Sequence, residues 1–397
     1  MSLPAKLRVL LVDPSLFTAP YDAALTRGLL AAGVEPSWAV RPTRPGDRPE
    51  LSAQHSEALF YRWIEQQALL TGRPRTVAKG FAHALGLARL VRRVAQLRPD
   101  VIHFQWAVLP PLDSLAMRVL RQFCPLIFTV HDTVPFNGEP MSALQRWGFE
   151  QPLALSDHLI VHTRASRERL LALGVPAAKV DVVPHGSLEL PERAEPAATR
   201  VRQDGLFRFV LFGELKHYKG LDVLIEALAL VPAEARAQMR VIVAGRSRMD
   251  LNPLRARVDA LGLNQTFELR PGRLTELEMA NLFEQADSFV FPYRQVDASG
   301  VYFLVKSLGK WLIASRVGIF SEDLREGEQG ELVPVGDAPT LARAMERALL
   351  ERRAPAPLDV TSDWSDIGRR TSELYRHALA QRARTGAPKV APEARVT

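Results

Sequence analysis

The sequence predicts an α/β protein built as two parallel-sheet units, and three observations carry that reading. Apolar, strand-like runs alternate with segments of helical period through both halves of the 397 residues. The runs are apolar throughout, as in strands buried on both faces, rather than alternating apolar with polar. One stretch, "LELPERAEPAATRVRQDG", interrupts the alternation with charges, two prolines and no apolar period.

The elements follow in order. "LRVLLVD" reads as a first strand, and "YDAALTRGLLAAG" as a helix in which Tyr21, Leu25, Leu29 and Leu30 share a face and Gly33 ends the run. "PSWAVRP" is a second strand, and a basic segment of helical period follows. "DVIHFQW" is a third strand, "LDSLAMRVLRQF" a helix and "PLIFTVHD" a fourth strand; "DHLIVHT" and "VDVVPHG" flank the helix "SRERLLALGV". After the interruption the alternation restarts with "FRFVLFG", "LDVLIEALALV", "MRVIVAG", "LRARVDALGL", "TFELRPG", "EMANLFEQA", "SFVFPY", "VYFLVKSLG", "WLIAS" and "TLARAMERALL". This divides the chain into a first unit at 1–190, a linker at 191–205, a second unit at 206–362, a helix at 363–384 that returns to the first unit, and a mobile tail at 385–397. Ligands of parallel sheets gather at the carboxyl ends of the strands. The polar residues closing the first-half runs are therefore the candidates: Asp13, His103, Gln105, His131, Asp132, His162, Thr163 and His185.

Composition narrows the class. The single cysteine, Cys124, sits among Phe123, Pro125, Leu126 and Ile127; it excludes an internal disulfide and reads as a packing residue. No apolar run reaches the roughly 18–20 residues of a membrane span, and the N-terminal run lacks a signal peptide's cleavage site, so a cytoplasmic protein is expected. Lys+Arg number 51 against 44 Asp+Glu, a net charge of +7 and a pI near 9.7, which favours anionic partners. The excess is concentrated between Gln66 and Pro99, where there is no acid and Arg73, Arg75, Lys79, Arg89, Arg92, Arg93 and Arg98 are basic. Phe81, Leu85, Ala88, Val91 and Val94 recur there at helical spacing. That stripe suits either packing on the sheet or peripheral contact with anionic lipid at the inner membrane face. No aromatic interleaving accompanies the charge, so nucleic acid is not an expected partner. No Gly-x-Gly-x-x-Gly follows a strand, which sets aside a dinucleotide dehydrogenase.

In the second half, "FGELKHYKGLDVLIEAL", "VIVAG", "LRPGRLTELEMANLFEQADSFVFPYR", "SGVYFLVKSLGKWLIAS" and "EGEQGELVPVGD" stand in the order and spacing of glycosyltransferase family 4. "PDVIHFQW", "FTVHD", "SDHLIVHT" and "VVPHG" fall where that family has their counterparts, so the chain resembles the family from about Leu7 to Leu379. The resemblance implies a GT-B fold, two Rossmann-like domains facing each other across a cleft. It implies transfer of a hexose from a UDP-, GDP- or similar nucleotide sugar to a glycan or polyprenyl-linked acceptor. Retention of configuration and a role in bacterial exopolysaccharide or glycolipid assembly come with it. A non-catalytic scaffold subunit and a nucleotide-sugar epimerase of the same fold are the alternatives.

Leaving diphosphate needs preorganised cations and backbone N–H groups. The resemblance assigns these to Gly213, Lys216 and Lys219, with Glu214 standing where many members carry arginine. Ser299, Gly300 and Val301 open a helix whose N–H groups face phosphate, and either Asp297 or Ser299 caps it. Arg294 either adds charge or pairs with Asp297. Gly245 and Arg246, then Arg273 and Leu274, fall where the family places the nucleotide. The family's two glutamates would fall at about Val296 and Leu304, neither of which is acidic. In the first half His131 corresponds to the family's sugar-facing histidine, beside Asp132, which serves as a base or caps the following turn. Asp13, Tyr21 and Gln105 are the acceptor-side candidates. No metal-ligand spacing emerges, so side-chain cations rather than a metal are expected to meet the charge, with no other cofactor.

Overall fold

Valine, leucine, isoleucine and phenylalanine fill the strand runs, and each run forms a parallel strand whose alternate residues feed opposite layers. A computed structural model describes residues 6–44, 48–64, 72–134, 147–190, 204–352 and 364–384. In chain order it holds β1 (Leu7–Asp13), α1 (Ala19–Ala31), β2 (Val34–Val40), β3 (Ser56–Ala58), α2 (Gly72–Leu97), β4 (Val101–Phe104), α3 (Pro110–Leu120) and β5 (Leu126–Thr129). Next come α4 (Glu150–Leu155), β6 (His158–Val161), α5 (Arg164–Ala172) and β7 (Val180–Val182). The second half holds β8 (Phe207–Phe212), α6 (Leu221–Leu230), α7 (Ala233–Arg236), β9 (Met239–Gly245), α8 (Asn252–Ala260), β10 (Phe267–Pro271) and α9 (Glu276–Gln285). It continues with β11 (Ser288–Phe291), α10 (Gly300–Lys306), β12 (Trp311–Ser315), α11 (Gly318–Asp323), β13 (Gly330–Val333) and α12 (Ala338–Glu351), before the closing helix α13 (Trp364–Arg384).

Two compact units result. The first contains the described residues up to 134, 147–186 and α13; the second contains 187–190 and 204–352. The first unit closes at Gly186 rather than at 190, because Leu188 and Leu190 pack against the second unit's core and the Leu188 N–H donates to the Phe303 carbonyl at 3.2 Å. Most of the expected linker, residues 191–203, and the whole tail lie outside the described residues.

The first sheet runs β3-β2-β1-β4-β5-β6-β7 and the second β10-β9-β8-β11-β12-β13. Each reverses its winding once, between β1 and β4 and between β8 and β11, so each carries one switch point at its strands' carboxyl ends. Val9 and Leu11 of β1 face a layer of Leu25, Leu29, Ile367 and Leu374, while Leu10 and Val12 face Leu87, Leu90, Met117 and Leu120. In the second unit Phe209 and Leu211 meet Leu224, Leu228 and Met345, and Val210 meets Phe283, Tyr302 and Phe320. Helix α13 is held backbone-to-backbone against α1. A Cβ on Gly368 would lie 2.1 Å from the Gly28 carbonyl oxygen, so glycine at this crossing is a steric requirement.

Local signals misplace some elements. The short strands β3 and β13 and the helices α4 and α11 were not anticipated. The stripe of α2 is also shifted: Ala82, Leu87, Leu90 and Val94 turn inward, while Phe81 is 62% exposed. The cause is His83, fully buried with its ring nitrogens 2.9 Å from the Tyr61 hydroxyl and 2.9 Å from Asp113. A polar anchor on the inward face is invisible to a count of apolar positions. Residues 66–71 of the acid-free segment lie outside the described residues. Among the described residues no helix is long and apolar enough to cross a membrane.

Candidate functional site

In the second unit the switch point lies where β8 ends in Phe212–Gly213 and β11 runs out through Pro292 and Tyr293. Gly213 has φ +114, and a Cβ there would lie 2.6 Å from Lys219 Nζ and 3.1 Å from a Val301 methyl. Glycine is what lets the lysine reach the strand end. Lys219 is 4% exposed; its ammonium donates to the Phe212 carbonyl at 3.1 Å and lies 5.1 Å from the centre of the Tyr293 ring. Burial first, then the charge of Lys216, bring the Lys219 amine down to about 7, with Glu214 opposing. An ammonium in such surroundings is stabilised by any anion placed beside it.

Lys216 pairs with Glu214 at 3.4 Å, and Glu214 also accepts from Arg248 at 3.0 Å. Partial burial pulls the Glu214 carboxyl upward, but Lys216 and Arg248 outweigh it and hold the group below its usual range. Gly245, at φ +140, closes β9 beside Gly213: a Cβ on it would meet the Gly213 oxygen at 2.0 Å. Arg246 and Arg273 are exposed, and Leu274 packs onto the apolar layer. Arg294 is bidentate to Asp222 of α6, at 2.8 and 2.5 Å, so its charge is answered by a partner the sequence did not suggest.

Ser299 caps α10, accepting from the Tyr302 N–H at 3.4 Å. Gly300 beside it has open space where a side chain would be. Asp297 is buried, and its carbonyl accepts from the Ile319 N–H at 3.1 Å. Val296 is buried in the apolar layer with Phe291 and Phe320, and Leu304 packs against the same layer. At both positions matched to the family's glutamates this chain has an apolar side chain, Val296 within the core and Leu304 partly buried against it.

The first unit treats its switch point differently. Asp13, fully buried at the end of β1, accepts from the backbone N–H groups of Ser15 at 3.1 Å and Thr18 at 3.3 Å. Burial raises its pKa, and burial followed by the Asp13 charge raises that of Asp22 well above its usual value. Both carboxyls bond Thr18, at 3.3 Å from its N–H to Asp13 and 3.3 Å from its hydroxyl to Asp22, and so hold the β1–α1 loop. Tyr21 is buried as an aromatic hub, with ring centres 5.1 Å from His131, 5.3 Å from His162, 4.9 Å from His185 and 5.2 Å from Trp364.

His131 is 8% exposed. Its Nε2 lies 3.0 Å from Gln105 Oε1, and the Trp106 indole stacks on it at 5.0 Å with 13° between the planes. Burial, then the neighbouring imidazoles of His162, His185 and His103, push its pKa well below the usual value. The imidazole is neutral and hydrogen-bonds without charge. Asp132 follows it, half-buried.

Two groups of candidates therefore converge within their units. Gly213, Lys219, Gly245 and Val301 meet at the second switch point with Lys216 adjoining. His131, Gln105 and Tyr21 meet at the first, and Asp13 joins them through Thr18, whose hydroxyl accepts from the Trp106 indole N–H at 3.2 Å. Sequence reasoning missed Tyr293 under Lys219, Trp106 against His131, and Trp364 and Tyr375 from the closing helix. Trp106 had a signal, an aromatic ending a strand beside Gln105; the last two had none, since their partners lie hundreds of positions away.

A sequence model described as Glycosyltransferase Family 4 matches residues 23–187, and one described as Glycosyl transferases group 1 matches residues 207–351. The chain is 25% identical over 336 residues to a D-inositol 3-phosphate glycosyltransferase of Pseudarthrobacter chlorophenolicus, spanning 77% of this chain and 78% of that protein. It is 28% identical over 291 residues to a phosphatidyl-myo-inositol mannosyltransferase of Mycobacterium leprae, spanning 70% of this chain and 73% of that protein. Among solved structures, Anabaena HepE in complex with UDP-glucose matches with a TM-score of 0.65 at 18% identity, covering 96% of this chain and 100% of that one. Sucrose-phosphate synthase from Thermosynechococcus elongatus matches with a TM-score of 0.63 at 20% identity, covering 96% and 98%. At such identities the structural likeness is one of fold.

Proposed function

Since the chain belongs to glycosyltransferase family 4 and has the GT-B fold, we propose that it transfers a hexose from a nucleotide diphosphate sugar to a glycan or polyprenyl-linked acceptor. The observation that carries this reading is Lys219, a buried amine brought under Gly213 and beside Val301 at the second switch point. Charge growing on the leaving diphosphate is met there by Lys219, by Lys216 and by the N–H groups of Gly300 and Val301, without a metal. The sugar's bond to the diphosphate breaks, its bond to the acceptor oxygen forms, and the acceptor's proton passes to the diphosphate, with configuration retained. His131 holds a sugar hydroxyl. The UDP-glucose bound by HepE makes that donor the first to try. The inositol-named relatives support a glycolipid acceptor, in bacterial glycolipid or exopolysaccharide assembly. Val77 and Phe81 of α2, 74% and 62% exposed near Arg75 and Lys79, support peripheral contact of a cytoplasmic enzyme with anionic lipid.

A panel of UDP- and GDP-sugars, read by thermal shift and by turnover with and without lipid acceptors, tests this. One nucleotide should raise the melting temperature of the native protein and not of Lys219→Met. A shift indifferent to that substitution would sink the diphosphate assignment, and binding without turnover on any acceptor would leave a non-catalytic scaffold.

A further inference from the structure

Four groups at the first unit's strand ends and one on α13 form a hydrogen-bonded chain. The Tyr375 hydroxyl of α13 is 2.7 Å from His103 Nδ1. His103 Nε2 is 2.7 Å from Thr129 Oγ1 and 3.3 Å from Gln105 Nε2. Gln105 Oε1 is 3.0 Å from His131 Nε2. An amide oxygen only accepts and an amide nitrogen only donates. The Gln105 oxygen therefore requires a proton on His131 Nε2. Its nitrogen requires a lone pair on His103 Nε2, which leaves His103 to donate from Nδ1 to Tyr375. A neutral imidazole carries one proton, so with Nε2–H committed to Gln105 the His131 Nδ1 is an acceptor. Stacking on Trp106 and the edge contact with Tyr21 fix the plane of the ring.

We infer that Gln105 is a positioning residue that locks His131 in its Nε2–H tautomer, so that the imidazole presents Nδ1 to accept a hydrogen bond from a sugar hydroxyl. The hydroxyl contact rests on the function proposed above; the lock itself does not. Burial, then the neighbouring imidazoles, hold the His131 pKa well below its usual value, so the lock holds across neutral pH. Turning the Gln105 amide over would reverse every role in the chain and put the His131 proton on Nδ1, and that makes the tautomer the deciding observable.

Long-range proton–nitrogen spectra of the full chain, labelled with 15N-histidine and assigned with His131→Ala, read the tautomer without substrate. Wild-type His131 should carry its proton on Nε2. Gln105→Leu should give a mixture of tautomers, and Gln105→Glu, whose carboxylate still accepts from Nε2, should keep the wild-type form. A wild-type His131 protonated on Nδ1, or one indifferent to Gln105→Leu, overturns the inference; if the leucine variant does not fold, the wild-type and glutamate spectra still decide. With UDP-glucose as the probe, Gln105→Leu should lower kcat by roughly tenfold, the scale of one lost hydrogen bond, while UDP affinity is unchanged and Gln105→Glu recovers most of the rate. Equal loss of UDP affinity would mark a merely structural role and overturn the positioning claim. Should the tautomer behave as expected while His131→Ala turns over normally, the sugar contact falls and the lock stands.

Discussion

The two sheets share a winding but finish their strands in opposite ways. At the first unit's switch point the space is filled: Tyr21, Trp106 and Trp364 pack against the His131, His162 and His185 imidazoles, and the Asp13 and Asp22 carboxyls are buried on Thr18. At the second, Gly213 and Gly245 bring backbone and the Lys219 amine into close approach, Gly300 has open space where a side chain would be, and Lys219 and Lys216 supply positive charge. Eight of the nine histidines belong to the first unit, and His217 alone to the second. The difference is one of ligand chemistry. Packed imidazole and amide donors and acceptors suit hydroxyl groups, whereas a desolvated amine brought to a strand end by glycine suits an anion.

The largest expected effect tests the neutral end. His103, His131 and His185 have folded pKa values below those of the unfolded chain, His103 at about 3, chiefly through burial. Below pH 6.5 the unfolded state therefore binds more protons, and the first unit should lose about 1.4 kcal/mol per pH unit for each imidazole kept neutral. His158, raised by Asp181, and the raised Asp13–Asp22 pair pull the other way, so they temper the loss. Five of the six tryptophans belong to the first unit, so denaturation followed by tryptophan fluorescence at pH 7.5 and pH 5 reports this unit. Equal stability at the two values would erase the contrast.

Next in size, Lys219→Met should lower nucleotide-sugar turnover about a hundredfold, the scale of one missing charge stabiliser, without lowering the melting temperature. Smaller again is the pH dependence of nucleotide binding. An anion beside Lys219 raises its pKa from about 7, so binding at pH 8 should take up a proton, and affinity should fall by up to about tenfold per pH unit above 7. Calorimetry in two buffers of different ionisation enthalpy measures that uptake. In the absence of nucleotide the same lysine works in reverse: the unfolded chain holds its proton to about pH 10.5, so the second unit gains stability as pH rises from 7. Glu214→Gln should release Lys216 and tighten nucleotide binding a few-fold at most, since an exposed pair is worth about 1 kcal/mol or less. Chelation with EDTA should leave turnover unchanged.

Much of this site was legible locally. Gly213, Lys219 and Ser299 stand in short segments whose strand–turn–helix order is written in apolar period and turn residues, whereas the choice of Ser299 over Asp297 as the cap came only from the fold. Arg294 was not legible. It faces Asp222, 72 positions away, and neither residue signals the other. Val296 showed that an acid was missing, but not that the position had been given over to the core.

The sequence by itself determined the alternating elements, the parallel sheets, the turn at Gly213–Gly220 and the family, because these depend on residues near one another in the chain. Tertiary structure alone decided that Lys219 is buried over Tyr293, that His131 is held by Gln105 and Trp106, and that α13 delivers Tyr375 to His103 across 272 positions. Charge state, tautomer and burial are set by whichever atoms arrive from elsewhere in the fold, and the local pattern of a segment does not name them.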